Sequence, residues 1–137
     1  MRTLGIDLGT KRIGLAISDA LGITAQGLFT INVEEGDVLS KIGEVISKDD
    51  VREIVVGLPL NMNGSKGPQA VAAETFADNL KEKFNIPVKL WDERMTTKEV
   101  ERIMIDAGTR RNKRKQKIDK LAAQVMLQSY LQASRNE

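Results

Sequence analysis

Thr3-Leu-Gly-Ile-Asp-Leu-Gly-Thr-Lys-Arg-Ile-Gly-Leu-Ala-Ile-Ser-Asp19 decides how this chain is read. Leu4, Ile6 and Leu8 alternate as a strand requires, Gly9 to Arg12 reads as a turn, and Ile13, Leu15 and Ile17 restart the alternation, so the stretch predicts a β-hairpin. Asp7 stands in the middle of the first strand. An aspartate is a poor strand former and costs desolvation energy where the strand is covered, so something must offset it. Two readings are open: a surface acid paired with Lys11 or Arg12, or a metal-binding carboxylate.

Downstream of the hairpin, Thr24 to Asn32 supplies a third strand, bounded by Gly22 and Gly36, and completes an antiparallel meander. Asp37 to Lys48 predicts a helix capped by Gly36 or Asp37, with Val38, Ile42, Val45 and Ile46 at helical spacing. Arg52 to Leu60 contains Ile54-Val-Val-Gly-Leu58, an apolar run that fits a central parallel strand covered on both faces. The loop Pro59 to Pro68 follows at the carboxyl end of that strand, where open α/β sheets place their ligands. Pro68 begins a helix to Phe84 whose Ala73, Phe76, Ala77, Leu80 and Phe84 form one face, and Pro87 to Asp92 is a fifth strand. Thr96 with Glu99 matches a capping box for a helix closed by Gly108, and a last helix runs from about Gln116 to Ala133. The order β-β-β-α-β-α-β-α-α predicts an α/β fold, a mixed five-stranded sheet with helices on both faces, in one domain over 1–137. Met104, Met126, Phe76 and Trp91 fall at core spacing.

Composition narrows the chemistry. With no histidine and no cysteine among 137 residues, imidazole bases, thiol nucleophiles, disulfides and zinc sites built on either ligand are all excluded. An enzyme of this composition must work with carboxylates, lysines, hydroxyls or a metal held by oxygen. No apolar run approaches a membrane span and the amino terminus enters a strand directly, so the expected location is the cytoplasm, with no membrane partner. The net charge of +2 conceals an asymmetry. Arg110 to Lys117 carries six of the 21 basic residues and no acid, leaving 15 basic against 19 acidic residues elsewhere. Such a strip is an electrostatic footprint for a polyanion, although short basic runs are also often simply solvated.

Beyond Asp7, acids stand out at Asp92 and Glu93, which end the fifth strand, and at Asp119, near the start of the last helix just after the basic strip. Asp119 can also be accounted for in an ordinary way, through a surface pair with Lys115 or the helix dipole. Ala122 and Ala123 beside it form a small-residue patch that would let the helix approach the sheet and turn the carboxylate inward. Carboxylates converging without histidine or cysteine make a hard-cation site suited to magnesium or manganese, and phosphodiester hydrolysis is the reaction such a site serves best.

Gly5-Ile-Asp-Leu-Gly-Thr-Lys-Arg-Ile-Gly14, Val56-Gly-Leu-Pro59 with Asn63-Gly64, Asp92-Glu-Arg with Thr96-Thr97, and Ile118-Asp119 before Leu121-Ala-Ala123 together resemble the YqgF family of bacteria, also called RuvX. The resemblance covers essentially the whole chain, with four motifs in order. It implies an RNase H-like fold and a divalent-metal nuclease, with Mg2+ or Mn2+ held by Asp7, Glu93 and Asp119. Adjacent strand residues face opposite sides, so only one of Asp92 and Glu93 can join Asp7, and the family pattern favours Glu93. Met95 stands where relatives more often carry leucine. Lys11, Arg12, Arg94, Arg110, Arg111, Lys113 and Arg114 are then expected to contact phosphates, and Asn61 and Asn63 to orient substrate.

The expected substrate is structured RNA, the 5′ end of the small-subunit rRNA precursor. The alternative keeps the chemistry and cleaves four-way DNA junctions, which needs two sites and hence a homodimer, whereas RNA cleavage is open to a monomer. A non-catalytic nucleic-acid-binding factor is a third reading. The first hairpin also resembles the phosphate-binding start of actin-like ATPases and sugar kinases, but those normally enclose ATP between two such domains and this chain has one.

Overall fold

The computed structural model describes residues 1–93 and 114–135, the side chains of 114–120 and 135 excepted. Along the chain these form β1 (Arg2–Leu8), β2 (Arg12–Ser18), β3 (Ala25–Asn32), a 3-10 turn (Val33–Glu35), α1 (Val38–Lys48), β4 (Val51–Leu58), α2 (Pro68–Phe84), β5 (Val88–Asp92) and α3 (Arg114–Arg135). The strands lie in the order β3-β2-β1-β4-β5. β1, β2 and β3 pair antiparallel as a meander, while β4 pairs parallel with β1 and with β5. This is the mixed α/β sheet expected. The helix predicted from Thr96 to Gly108, with Met104, lies outside the described residues.

Local signals account for most boundaries. Asp37 caps α1 by accepting from the Ser40 amide at 3.3 Å. Pro68 opens α2 at a position that needs no amide donor, and Asn85 closes it in the left-handed conformation at φ 55°. The 3-10 turn has no counterpart in the sequence pattern; Asn32 caps it through the Glu34 amide at 3.1 Å. Between β2 and β3, Asp19 accepts from the amides of Ile23 (2.7 Å) and Thr24 (3.2 Å), which hold its carboxyl below its ordinary pKa.

Alternation gives the sheet two distinct faces. Leu4, Ile6, Ile13, Leu15, Ile17, Ile31, Ile54 and Val56 cluster with Ile42 and Val45 of α1 and with Ala73, Ala77 and Leu80 of α2. On the opposite face Ala16 and Val55 pack against Ala123, Met126, Leu127, Tyr130 and Leu131 of α3. Each large side chain fully buried there contributes about 1.5–3 kcal/mol.

Small residues on this second face bring α3 close. A Cβ on Gly5 would lie 2.9 Å from the Leu127 Cβ, so the helix rests almost on the β1 backbone. Polar contacts then fix its position. Gln128 accepts from the Ala25 amide (2.9 Å) and donates to the Ile23 carbonyl (2.9 Å), and Gln124 donates to the Ala25 carbonyl (3.1 Å). Across the sheet, Glu53 accepts from the hydroxyls of Tyr130 (3.0 Å) and Thr3 (3.3 Å) and pairs with Lys89 at 3.4 Å. Trp91 meets Tyr130 edge-on, with ring centroids 5.5 Å apart, and donates to the Ser129 hydroxyl at 3.3 Å.

Because Leu127 leaves no room at Gly5, Gly5→Val is expected to destabilise the fold by about 1–3 kcal/mol through overpacking. Urea unfolding monitored by Trp91 fluorescence measures the change.

Candidate active site

The carboxyl ends of the parallel strands β1, β4 and β5 lie along one edge of the sheet. Asp7 is the penultimate residue of β1 and is half-buried. Leu4 and Ile6 enter the core beneath α1 and α2, so alternation turns Asp7 to the face that carries α3. Its partner in β2 is Gly14. On its other side Ile6 pairs with Val56, so Gly57 follows on β4 in step with Asp7.

Register settles which of the two adjacent acids joins it. Gly57 pairs with Trp91 and Leu58 with Asp92. Trp91 faces α3, because it packs against Tyr130. Two residues further on, Glu93 returns to the same face, whereas Asp92 turns to the other. The Glu93 side chain lies over Gly57 and shares a hydrogen bond with the Asp7 carboxyl.

A buried carboxyl set against a second carboxylate resists ionisation, and here that carboxyl is Glu93. Burial pushes the Glu93 carboxyl up first, the hydrogen bond with Asp7 adds to this, and the charges of Asp7 and Asp92 raise it further, to about 10. A divalent cation would replace the proton on Glu93, and an all-oxygen donor set suits a hard cation. The residues present therefore fit such an ion. Among the described residues the acids form this pair, and no cluster of three or more metal-ligating side chains comes together. Asp119 belongs to α3, four residues before the buried Ala123, but its side chain lies outside the described residues.

The remaining predicted contacts divide in the same way. Lys11, exposed, and Arg12, half-buried, sit at the β1–β2 turn just beyond Asp7, where the Gly9 amide donates to the Arg12 carbonyl at 3.0 Å. Asn61 and Asn63 spend their side chains on their own loop. Asn61 donates to the Ser65 hydroxyl (3.0 Å), and Asn63 accepts from that hydroxyl (2.6 Å) and from the Ser65 amide (3.0 Å). Lys66 ties the loop to α2 through Glu74 at 2.7 Å. Arg94, Arg110, Arg111 and Lys113 lie outside the described residues, as does the side chain of Arg114. Sequence reading missed Gly57. A glycine inside a buried apolar strand is the signal that marked it.

Comparison with known proteins adds the following. The RuvX family model, described as Holliday junction resolvase, matches residues 1–133. A protein of Geobacillus kaustophilus (strain HTA426) named "Putative pre-16S rRNA nuclease" is 54% identical over 138 residues, covering 98% of this chain and 100% of the relative. One of the same name from Bacillus pumilus (strain SAFR-032) is 50% identical, covering 96% and 97%. Among solved structures, Thermus thermophilus RuvC in complex with a Holliday junction substrate superposes with a TM-score of 0.56 at 15% identity, covering 99% of this chain and 96% of that one. Fowlpox virus resolvase with Holliday junction DNA gives 0.60 at 13% identity, covering 98% and 99%. At such identities the likeness carries the fold alone, an RNase H-like one.

Between the ordinary carboxyl value of 4.5 and about 10, the folded protein holds a proton on Glu93 that the unfolded chain has released. Metal-free stability attributable to this group is therefore fully present below pH 4.5 and falls as pH rises through that window. Glu93→Gln removes the requirement for the proton. In EDTA it is expected to stabilise the protein by about 1–3 kcal/mol near pH 7 and to flatten the decline toward pH 9, as read from urea unfolding across pH.

Proposed function

The chain belongs to the RuvX family and is a nuclease, a hydrolase of phosphodiester bonds, and we propose that it processes the 5′ end of the small-subunit rRNA precursor using Asp7, Glu93 and Asp119 with Mg2+ or Mn2+. Nucleic acid is its substrate class, and nucleases of this kind are generally divalent-metal dependent. The observation that carries the reading is the contact between Asp7 and Glu93 at the carboxyl edge of the sheet. A chain without histidine or cysteine has few other ways to assemble a hydrolytic centre.

When bound, the cation would supply polarisation of the phosphodiester and neutralisation of the charge that develops as the bond breaks. Asp7 of β1 and Glu93, directly after β5, would hold it. Asp119, carried by α3, is the third acid of the proposed set. Lys11 and Arg12 at the adjoining turn, with Arg94, Arg110, Arg111, Lys113 and Arg114, bind substrate phosphates and fix the strand against the acids. Asn61 and Asn63 orient substrate through the loop that they brace. The chain acts as a single nuclease domain over 1–137, in the cytoplasm, where ribosomes are assembled.

The RNA substrate rests on the names of relatives at about half identity along the whole chain. The description of the family model favours a second reading, cleavage of four-way DNA junctions. Symmetric resolution would require a homodimer presenting two sites, while a monomer suffices for RNA.

Cleavage is measured with Mg2+ and Mn2+ on an rRNA precursor end, single-stranded RNA and a four-way junction. Products at a defined position of the precursor are expected, and Asp7→Asn should lower the rate by more than about 100-fold, because it removes a charged ligand. Full activity in Asp7→Asn sinks the site, and cutting confined to the junction shifts the assignment to the second reading.

A further inference from the structure

Asp7 lies in β1 and Glu93 directly follows β5, and these two strands are not neighbours. β4 runs between β5 and β1, which puts their backbones roughly 9–10 Å apart, twice the ordinary strand spacing, and neither carboxylate alone spans that distance. The side chains meet because the Glu93 carboxyl passes over β4 at Gly57. A Cβ built on Gly57 would collide with the Glu93 carboxyl oxygen, and would lie 2.5 Å from its Cδ and 2.7 Å from its Cγ.

Among the described residues, neither backbone conformation nor helix packing demands glycine at this position. Among the described glycines the left-handed φ values belong to Gly22 and Gly64, so the Gly57 backbone accepts an L-residue. Val55, two residues earlier on the same face, is fully buried with its side chain in place against the α3 cluster, and the three atoms nearest a Cβ at 57 all belong to Glu93 rather than to α3. The space is occupied by the acid itself.

We propose that Gly57 is a positioning residue of the acidic site, leaving β4 bare so that Glu93 can cross it and reach Asp7. This rests on the reading of Asp7 and Glu93 as metal ligands. The atoms displaced by a Cβ are the far end of a flexible side chain, so Gly57→Ala moves the carboxylate without disturbing the sheet.

The test uses the full chain, with Mn2+ titrated calorimetrically into metal-free protein and thermal unfolding recorded in EDTA. Gly57→Ala is expected to melt at or above the wild-type midpoint, yet to bind Mn2+ about 10–100-fold more weakly. Glu93→Asp, too short to cross β4, is expected to show a comparable loss. The double variant should bind no more weakly than Glu93→Asp, because both changes break one contact. Wild-type Mn2+ affinity in Gly57→Ala, additive losses in the double variant, or a lower melting midpoint for Gly57→Ala in EDTA would each overturn the positioning role. A wild-type protein that binds neither Mn2+ nor Mg2+ would instead remove the metal-nuclease reading, and this inference with it.

Discussion

Strand alternation through β1 couples the core to the acid. Leu4 and Ile6 are fully buried beneath α1 and α2, and that commitment leaves Asp7 no choice of side. A slip of one residue would drive the carboxylate into the apolar cluster and expel Leu4 and Ile6 from it. The burial energy that fixes the register thus also aims Asp7, and the site inherits the rigidity of a strand paired on both sides at the centre of the sheet.

The two faces of that sheet are built to different specifications. One carries branched aliphatic side chains and receives two helices in the usual manner. The other is thinned by Gly5 and Ala16, where α3 settles close, and by Gly57, where the Glu93 side chain lies. Close approach leaves less apolar area to hold a helix in place. Polar contacts make up the difference: Gln124 and Gln128 grip the backbone where β3 begins, and Glu53, Tyr130, Trp91 and Ser129 lock the far side. The helix that carries Asp119 is therefore held by directional bonds as well as by packing.

Pressing two carboxyls together beside a third acid, Asp92, works against folding. The raised Glu93 value records that cost, and the proton it retains marks where a cation would exchange. A protein built only for stability would separate these groups. Local destabilisation at a site of this kind is a common feature of working enzymes.

Hydrophobic periodicity and turn residues were enough to read the strands and α-helices found among the described residues, the meander and the parallel β4, because each depends on neighbours a few residues away. Asp7 stood out from its own strand, and the absence of histidine and cysteine confined the chemistry to oxygen ligands. The choice between Asp92 and Glu93 depended on which way β5 faces, and that follows from the pairing of Gly57 with Trp91 and the packing of Trp91 on Tyr130, contacts between residues 34 to 39 positions apart in the chain. In the sequence Gly57 is one residue of the apolar run Ile54 to Leu58. Its purpose emerges only when a side chain from the neighbouring strand is seen to fill its place, because an empty position is defined by what occupies it from elsewhere in the fold.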